Sequence, residues 1–309
     1  MRTSVLILVV ILATVSATAQ APKSGQPDLQ GVWTNDTTTP LERPQQFAGK
    51  AFFDASEEAA FEAVVRDDRR ALLGDENART SGDVPEPGKL LPDRRTSLII
   101  DPSNGALPPL LPTARKHAND SLAHKRQFIA DGPEDFDMAE RCIAWPSPPM
   151  LPLPGNAQLR IVQTPEYVVI HTEHLGDTRV IPLGARPHMP STMRQWKGDS
   201  RGKWEKDTLI VETTNFRPQR IYGLLDPLKG ADESLRVVER FSLIDANTIL
   251  YRFTVDDPTA YASTWTAELP LTRATQPMFE YACHEGNYSL KNSLLGARAV
   301  QHRKATDPQ

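Results

Sequence analysis

The sequence predicts a mainly β protein, an antiparallel up-and-down barrel or a sandwich of about eight or nine strands. Three observations predict it. From residue 157 onward, β-rich runs follow one another with turn signals between them and no helical spacer, so pairing is sequential and antiparallel. Within those runs side chains alternate; along Leu235–Ile244, for example, Leu235, Val237, Glu239, Phe241 and Leu243 share one face. Finally, 17 of the 27 prolines precede residue 155. Proline fixes φ and removes an amide donor, so the first half reads as turns and extended loops wrapped on the sheet and plugging one end of it.

The elements follow in chain order. Residues 1–19 are expected to be a secretory signal peptide: Arg2 is a short basic start, Val5–Ala13 an apolar run, and Ala17-Thr18-Ala19 the small-x-small pattern of a cleavage site. The apolar run is shorter than the roughly 20 residues a membrane span needs. The expected location is therefore periplasmic or secreted, with no membrane association after cleavage. Residues 20–309 are expected to form a single barrel-like domain: a Pro-rich wrap over 20–156, an antiparallel sheet over 157–285 and a tail over 286–309.

In the wrap, Leu29–Thr34 and Thr96–Ile100 read as short strands. A helix is expected from about Ser56 to Leu73, opened by Asp54 and Glu57 in capping-box spacing. A second, mostly polar helix is expected over residues 113–130. The strands of the sheet are Ala157–Gln163, Tyr167–His174, Thr178–Leu183, Gly202–Glu205, Thr208–Thr214, Leu235–Ile244, Thr248–Asp256, Ser263–Thr272 and Met278–Cys283.

Composition narrows function mainly by exclusion. With 35 basic and 39 acidic residues the net charge is −4, which does not make a nucleic-acid surface. There is no phosphate-cradling glycine loop, no dinucleotide fingerprint, no CxxC and no CxxCH, so nucleotide-driven chemistry and haem are not expected. No cofactor or metal is assigned. The two cysteines, Cys142 and Cys283, are expected to bridge in an oxidising compartment, with two free thiols as the alternative.

Two stretches of sequence are familiar. Gly31-Val32-Trp33 resembles the G-x-W first strand of lipocalin-type barrels. More of the chain, from about residue 96, resembles a large family of secreted bacterial proteins that comes without an established activity. The resemblance is carried by the string from Arg194 to Phe216 (RQWKGDSRGKWEKDTLIVETTNF), by Val162–Pro165, Arg186–His188, Val238–Phe241 and Phe253–Pro258, and by Glu280–Tyr288 (EYACHEGNY). It implies kinship and export, not a reaction. This chain departs from the family pattern at Lys206, where relatives tend to carry glycine; a lysine there either holds a type I turn or sits in a left-handed conformation.

Reactive side chains concentrate between residues 171 and 215. In His171-Thr172-Glu173-His174, strand alternation puts His171 and Glu173 on one face and His174 on the other. One strand thus offers two metal ligands and would need His188 or His284 to complete a site. Otherwise the stretch is a half-buried His171–Glu173 pair beside an exposed His174. Arg186-Pro187-His188 is a stiff loop that presents His188, which with a nearby carboxylate exchanges protons near neutral pH. Ser200, in Gly198-Asp199-Ser200-Arg201-Gly202, lacks the spacing of a nucleophile elbow, and Asp199 and Arg201 are expected to pair or to cap the turn.

Glu239 lies in an apolar set and needs a partner, for which Arg252 on the next strand is the candidate; the pair is either purely structural or lines a polar patch inside the barrel, where Glu239 would be a binding residue. Trp196, Trp204 and Tyr167 are candidate aromatic walls of a binding pocket, and His284, next to Cys283, would be pinned by the bridge. The expectation that follows is an exported lyase, isomerase or hydrolase acting on a small apolar molecule in a barrel pocket. Glu173, His188 or His171 would move protons, and Arg186 or Arg252 would steady negative charge. The alternative is a periplasmic carrier of an apolar ligand.

Overall fold

The computed structural model describes residues 25–72, 89–127, 130, 132–144, 147–152, 158–217, 228, 230–231 and 233–306. The expected signal peptide lies outside them. Among the described residues ten strands are formed: β1 (Gly31–Thr34), β2 (Ile99–Asp101), β3 (Gln158–Gln163), β4 (Tyr167–Thr172), β5 (Thr178–Pro182), β6 (Asp199–Glu205), β7 (Thr208–Thr214), β8 (Arg236–Asp245), β9 (Thr248–Asp256) and β10 (Trp265–Arg273). Among the described residues four α-helices accompany them: α1 (Ala55–Leu72), α2 (Pro112–Gln127), α3 (Cys283–Gly286) and α4 (Tyr288–Thr306).

Nine strands run in the order β5-β4-β3-β1-β10-β9-β8-β7-β6, every neighbouring pair antiparallel. An odd number of alternating strands leaves the two outer ones running the same way, so closure must be parallel. The structure closes in that manner: Leu183, just past β5, makes a parallel bridge to Gly202 of β6, and the Gly184 N–H donates to the Gly202 carbonyl at 3.0 Å. A Cβ on Gly202 would stand 2.7 Å from Leu183 Cδ2 and 3.0 Å from Ile181 Cγ2, so the seam needs a residue without one. The result is a nearly closed, nine-stranded up-and-down barrel.

Strand β1 covers only the end of β10, at Trp33–Arg273 and Thr34–Thr272. The short β2 takes over the same edge further along, at Asp101–Thr266 and Ile99–Ala267. This arrangement explains a correction. The expected strand Met278–Cys283 is absent, because β10 already has β9 on one side and β1 with β2 on the other. The chain instead crosses onto the outside of the barrel, turns through α3 and leaves as α4, where a tail was expected.

The interior is filled by side chains. Trp33, Phe241, Tyr251, Phe253 and Trp265 are fully buried, with Leu159, Ile161, Ile170, Ile181 and Leu269 between them. Phe253 and Trp265 meet edge to face at 5.6 Å, the geometry that ring quadrupoles favour. The wrap adds Leu29, Leu91, Leu98 and Met150 to the same core, and the Met150 N–H donates to the Tyr251 phenol oxygen at 3.0 Å.

At the centre lies a charged pair that the sequence reading assigned differently. Glu239 (0% exposed) is held by Arg179 (7% exposed), not by Arg252. The guanidinium reaches across the barrel from β5 to β8 and makes two bonds, at 2.7 and 2.9 Å. The Tyr251 hydroxyl adds a third at 2.8 Å. Burial works against the arginine charge, but Glu239, joined by Tyr251 and Asp177, leaves the Arg179 pKa raised. Burial first, then Glu239, raises the Tyr251 pKa well above its ordinary value, so the phenol stays a donor. Arg252 points outward on the other face of β9 and pairs with Glu268 at 2.5 Å.

The local signals read from sequence hold where they were specific. Asp54 Oδ1 accepts the Glu57 N–H at 3.0 Å and Glu57 Oε2 accepts the Asp54 N–H at 2.9 Å, completing the capping box of α1. Lys206 has φ +53°, so the left-handed alternative is the one realised in the β6–β7 turn.

Candidate functional site

Cys142 and Cys283 form a disulfide that spans 141 positions of sequence. It fastens the segment after β10 across the outer face of β3 and β4, as a strap over residues 278–285. Other contacts hold the strap as well. The Asn287 side-chain amide donates to the Glu140 carbonyl at 2.8 Å, and the Phe279 N–H donates to Glu173 Oε1 at 3.1 Å. The Tyr281 and His174 rings lie 4.6 Å apart. Between strap and sheet is a cleft of about 480 Å3, its floor from Arg160, His171, Glu173 and Leu175 and its roof from Met278 to Glu285.

Strand register builds the floor. Arg160 and His171 face each other across β3 and β4 and alternate out of the barrel, away from buried Leu159, Ile161 and Ile170. The strand then ends. Glu173 turns to an α-like conformation (φ −61°, ψ −45°) and Leu175 takes φ +60°, so alternation lapses. His174 therefore does not hang exposed on the opposite face as expected; it is half-buried against Tyr281. Burial pulls its pKa below the ordinary histidine value, and Asp177 opposes that shift in part.

The cleft brings together three groups with chemistry. His171 Nδ1 lies 2.8 Å from Thr178 Oγ1, which fixes the ring, and its Nε2 makes no hydrogen bond among the described residues. Glu173 is only 8% exposed. Its Oε1 accepts from Phe279, while Oε2 has no hydrogen bond or ion pair among the described residues. Arg160 is a guanidinium with no carboxylate partner among the described residues. Among the described residues no three His, Cys, Asp or Glu side chains come close enough together to hold a metal ion.

Of the residues singled out from sequence, His171, Glu173, His284, Cys142 and Cys283 meet at this cleft. The others are distributed elsewhere. His188 is held on the outer face of β6 and β7, its Nδ1 3.0 Å from Asp199 and its Nε2 3.5 Å from Glu212. Arg201 pairs with Asp199 as expected, and Ser200 faces away, toward Thr213 at 2.9 Å. Arg186 and Tyr167 are spent on each other: a hydrogen bond of 2.9 Å, with the guanidinium 5.1 Å from the ring centre. Trp196 carries Arg217 over its ring at 4.6 Å, and Trp204 packs against the core.

Sequence reasoning missed Arg160, Phe279 and Tyr281. Arg160 carried a usable signal, an arginine on a strand whose neighbours Leu159 and Ile161 alternate inward. The strap residues carried none, because a strand was expected there. No family model, curated protein or solved structure matches the chain.

Proposed function

We propose that the chain is an exported enzyme that moves protons on a small molecule bound in the cleft beneath the strap. His171 is the acid–base group: its Nδ1 is fixed by Thr178 and its Nε2 is left for the substrate. Glu173 anchors the substrate by a proton-bearing group, and Arg160 steadies negative charge that develops during transfer. Arg160 thus takes the role first given to Arg186 or Arg252, both of which are engaged elsewhere. Isomerisation, elimination and hydrolysis all use such a set.

The observation that carries this reading is the convergence of a fixed histidine, a buried carboxylate and a guanidinium without a carboxylate partner on one cavity. Cavities of this size suit small ligands. The aromatic filling of the barrel favours it over a carrier that holds an apolar ligand inside. Export is supported by the disulfide, a feature of oxidising compartments. The test is to incubate the protein with a small-molecule extract in deuterated water and follow, by mass spectrometry, compounds that are consumed or gain deuterium. Wild type is expected to change at least one compound that His171→Asn leaves unchanged; equal change with both proteins overturns the proposal.

A further inference from the structure

The state of Glu173 bears on what the cleft takes. A carboxylate withdrawn from water costs several kcal/mol unless a cation or enough donors compensate it. Glu173 is more than nine-tenths buried and receives a single backbone N–H, from Phe279. Its second oxygen has no hydrogen bond or ion pair among the described residues, and Glu173 is one of the residues that line the cavity. The chain solves the same problem differently at Glu239, where Arg179 and Tyr251 saturate the carboxylate. At Glu173 the compensating charge is left to come from outside.

The rest of the lining agrees. Glu280 and Glu285 stand on the strap, so the residues lining the cleft include three glutamates and two histidines against one arginine, Arg160, and no lysine. Phe279 and Tyr281 are exposed rings on the same strap. A carboxylate beside aromatic faces is the environment that binds an organic cation, through a charge-assisted hydrogen bond and the ring quadrupoles together. Resting on the cleft being the functional site, we infer that its ligand is a small organic ammonium. The N–H groups of that ammonium bond to Glu173 Oε2, and its apolar body lies against Phe279 and Tyr281.

The experiment is an NMR titration of the disulfide-intact chain with three probes of one shape: 2-phenylethylammonium, 2-phenylethanol and 3-phenylpropionate. The ammonium is expected to bind at least roughly tenfold more tightly than the alcohol, with the propionate weakest. Its shifts should map to residues 171–175 and 278–285. Glu173→Gln, which keeps an oxygen for the Phe279 N–H, is expected to abolish the preference for ammonium over alcohol, while His171→Asn keeps it. Equal affinity for ammonium and alcohol on the wild-type chain overturns the inference without any variant, as does an unchanged preference in Glu173→Gln or shifts that map elsewhere. Ammonium binding without turnover upholds this inference and counts against the acid–base reading. Turnover of neutral or anionic molecules with no affinity for ammonium sinks the inference and leaves the acid–base reading intact.

Discussion

Arg179→Met removes the cation from the middle of the barrel. The carboxylate of Glu239, 0% exposed, then keeps only the Tyr251 hydroxyl at 2.8 Å. Both guanidinium bonds, at 2.7 and 2.9 Å, are lost. Removing one partner of a buried pair typically costs about 3–5 kcal/mol, because the surviving charge stays desolvated. Arg179→Met is therefore expected to lose about that much, a large part of a normal domain's stability. In Arg179→Met/Glu239→Leu both charges go, and only the Tyr251 O–H is left without its acceptor. That variant is expected to lie within about 1–3 kcal/mol of wild type, the cost of one unsatisfied buried hydroxyl. The assay is urea unfolding followed by tryptophan fluorescence, with the disulfide intact and the slope checked for constancy. A single variant that loses under about 1 kcal/mol, or a double variant no better than the single, refutes the assignment of this pair as a buried and obligate one.

Three further predictions concern other parts of the chain. Replacing Cys142 and Cys283 together by serine opens a loop of 141 positions, worth about 5 kcal/mol in the chain-entropy model; urea midpoints should fall accordingly, and an unchanged midpoint refutes the tie. Lys206 at φ +53° carries left-handed strain, so Lys206→Gly is expected to gain about 0.5–1 kcal/mol, after allowing for glycine's entropy, with a lower melting temperature as the contrary result. His174 has its pKa lowered by burial, so the unfolded chain binds the proton more readily. Its contribution to stability is complete above the unfolded value of about 6.5 and is lost as pH falls below it. Melting temperatures measured from pH 7 to pH 5 should fall less in His174→Gln than in wild type; parallel slopes would exclude this histidine as a source of acid sensitivity.

The barrel was legible because its signals are local and repeated. Hairpin turns such as Asp245-Ala246-Asn247, where Asp245 Oδ1 accepts the Asn247 N–H at 2.7 Å, punctuate strands whose alternation fixes the inner face. The α1 capping box and the disulfide are of the same kind, specified by spacing or by elimination. What failed depended on geometry between distant segments. Glu239 was rightly read as a buried charge needing a partner, but the choice between Arg252 and Arg179 turns on face and curvature. Arg252 lies opposite Arg240 on the outer surface of β8 and β9, whereas Arg179 is inward because β5 alternates in phase with the core.

The site was half legible for a similar reason. The cluster at 171–174 stood out by residue type, yet its roof comes from residues more than a hundred positions later. Met278–Cys283 looks like a strand in composition, and only the saturation of both β10 edges sends it across the outside of the barrel. His188, the most conspicuous histidine of the sequence, turns out to be gripped by Asp199 and Glu212 away from the cleft.

The most direct test of the account is a comparison of wild type, His171→Asn and Glu173→Gln on a compound that the wild-type protein converts. The account predicts a split: His171→Asn binds the compound normally but loses turnover, and Glu173→Gln loses binding first, seen as a raised KM. Full turnover in both variants would contradict the assignment of the strap-covered cleft as the functional site.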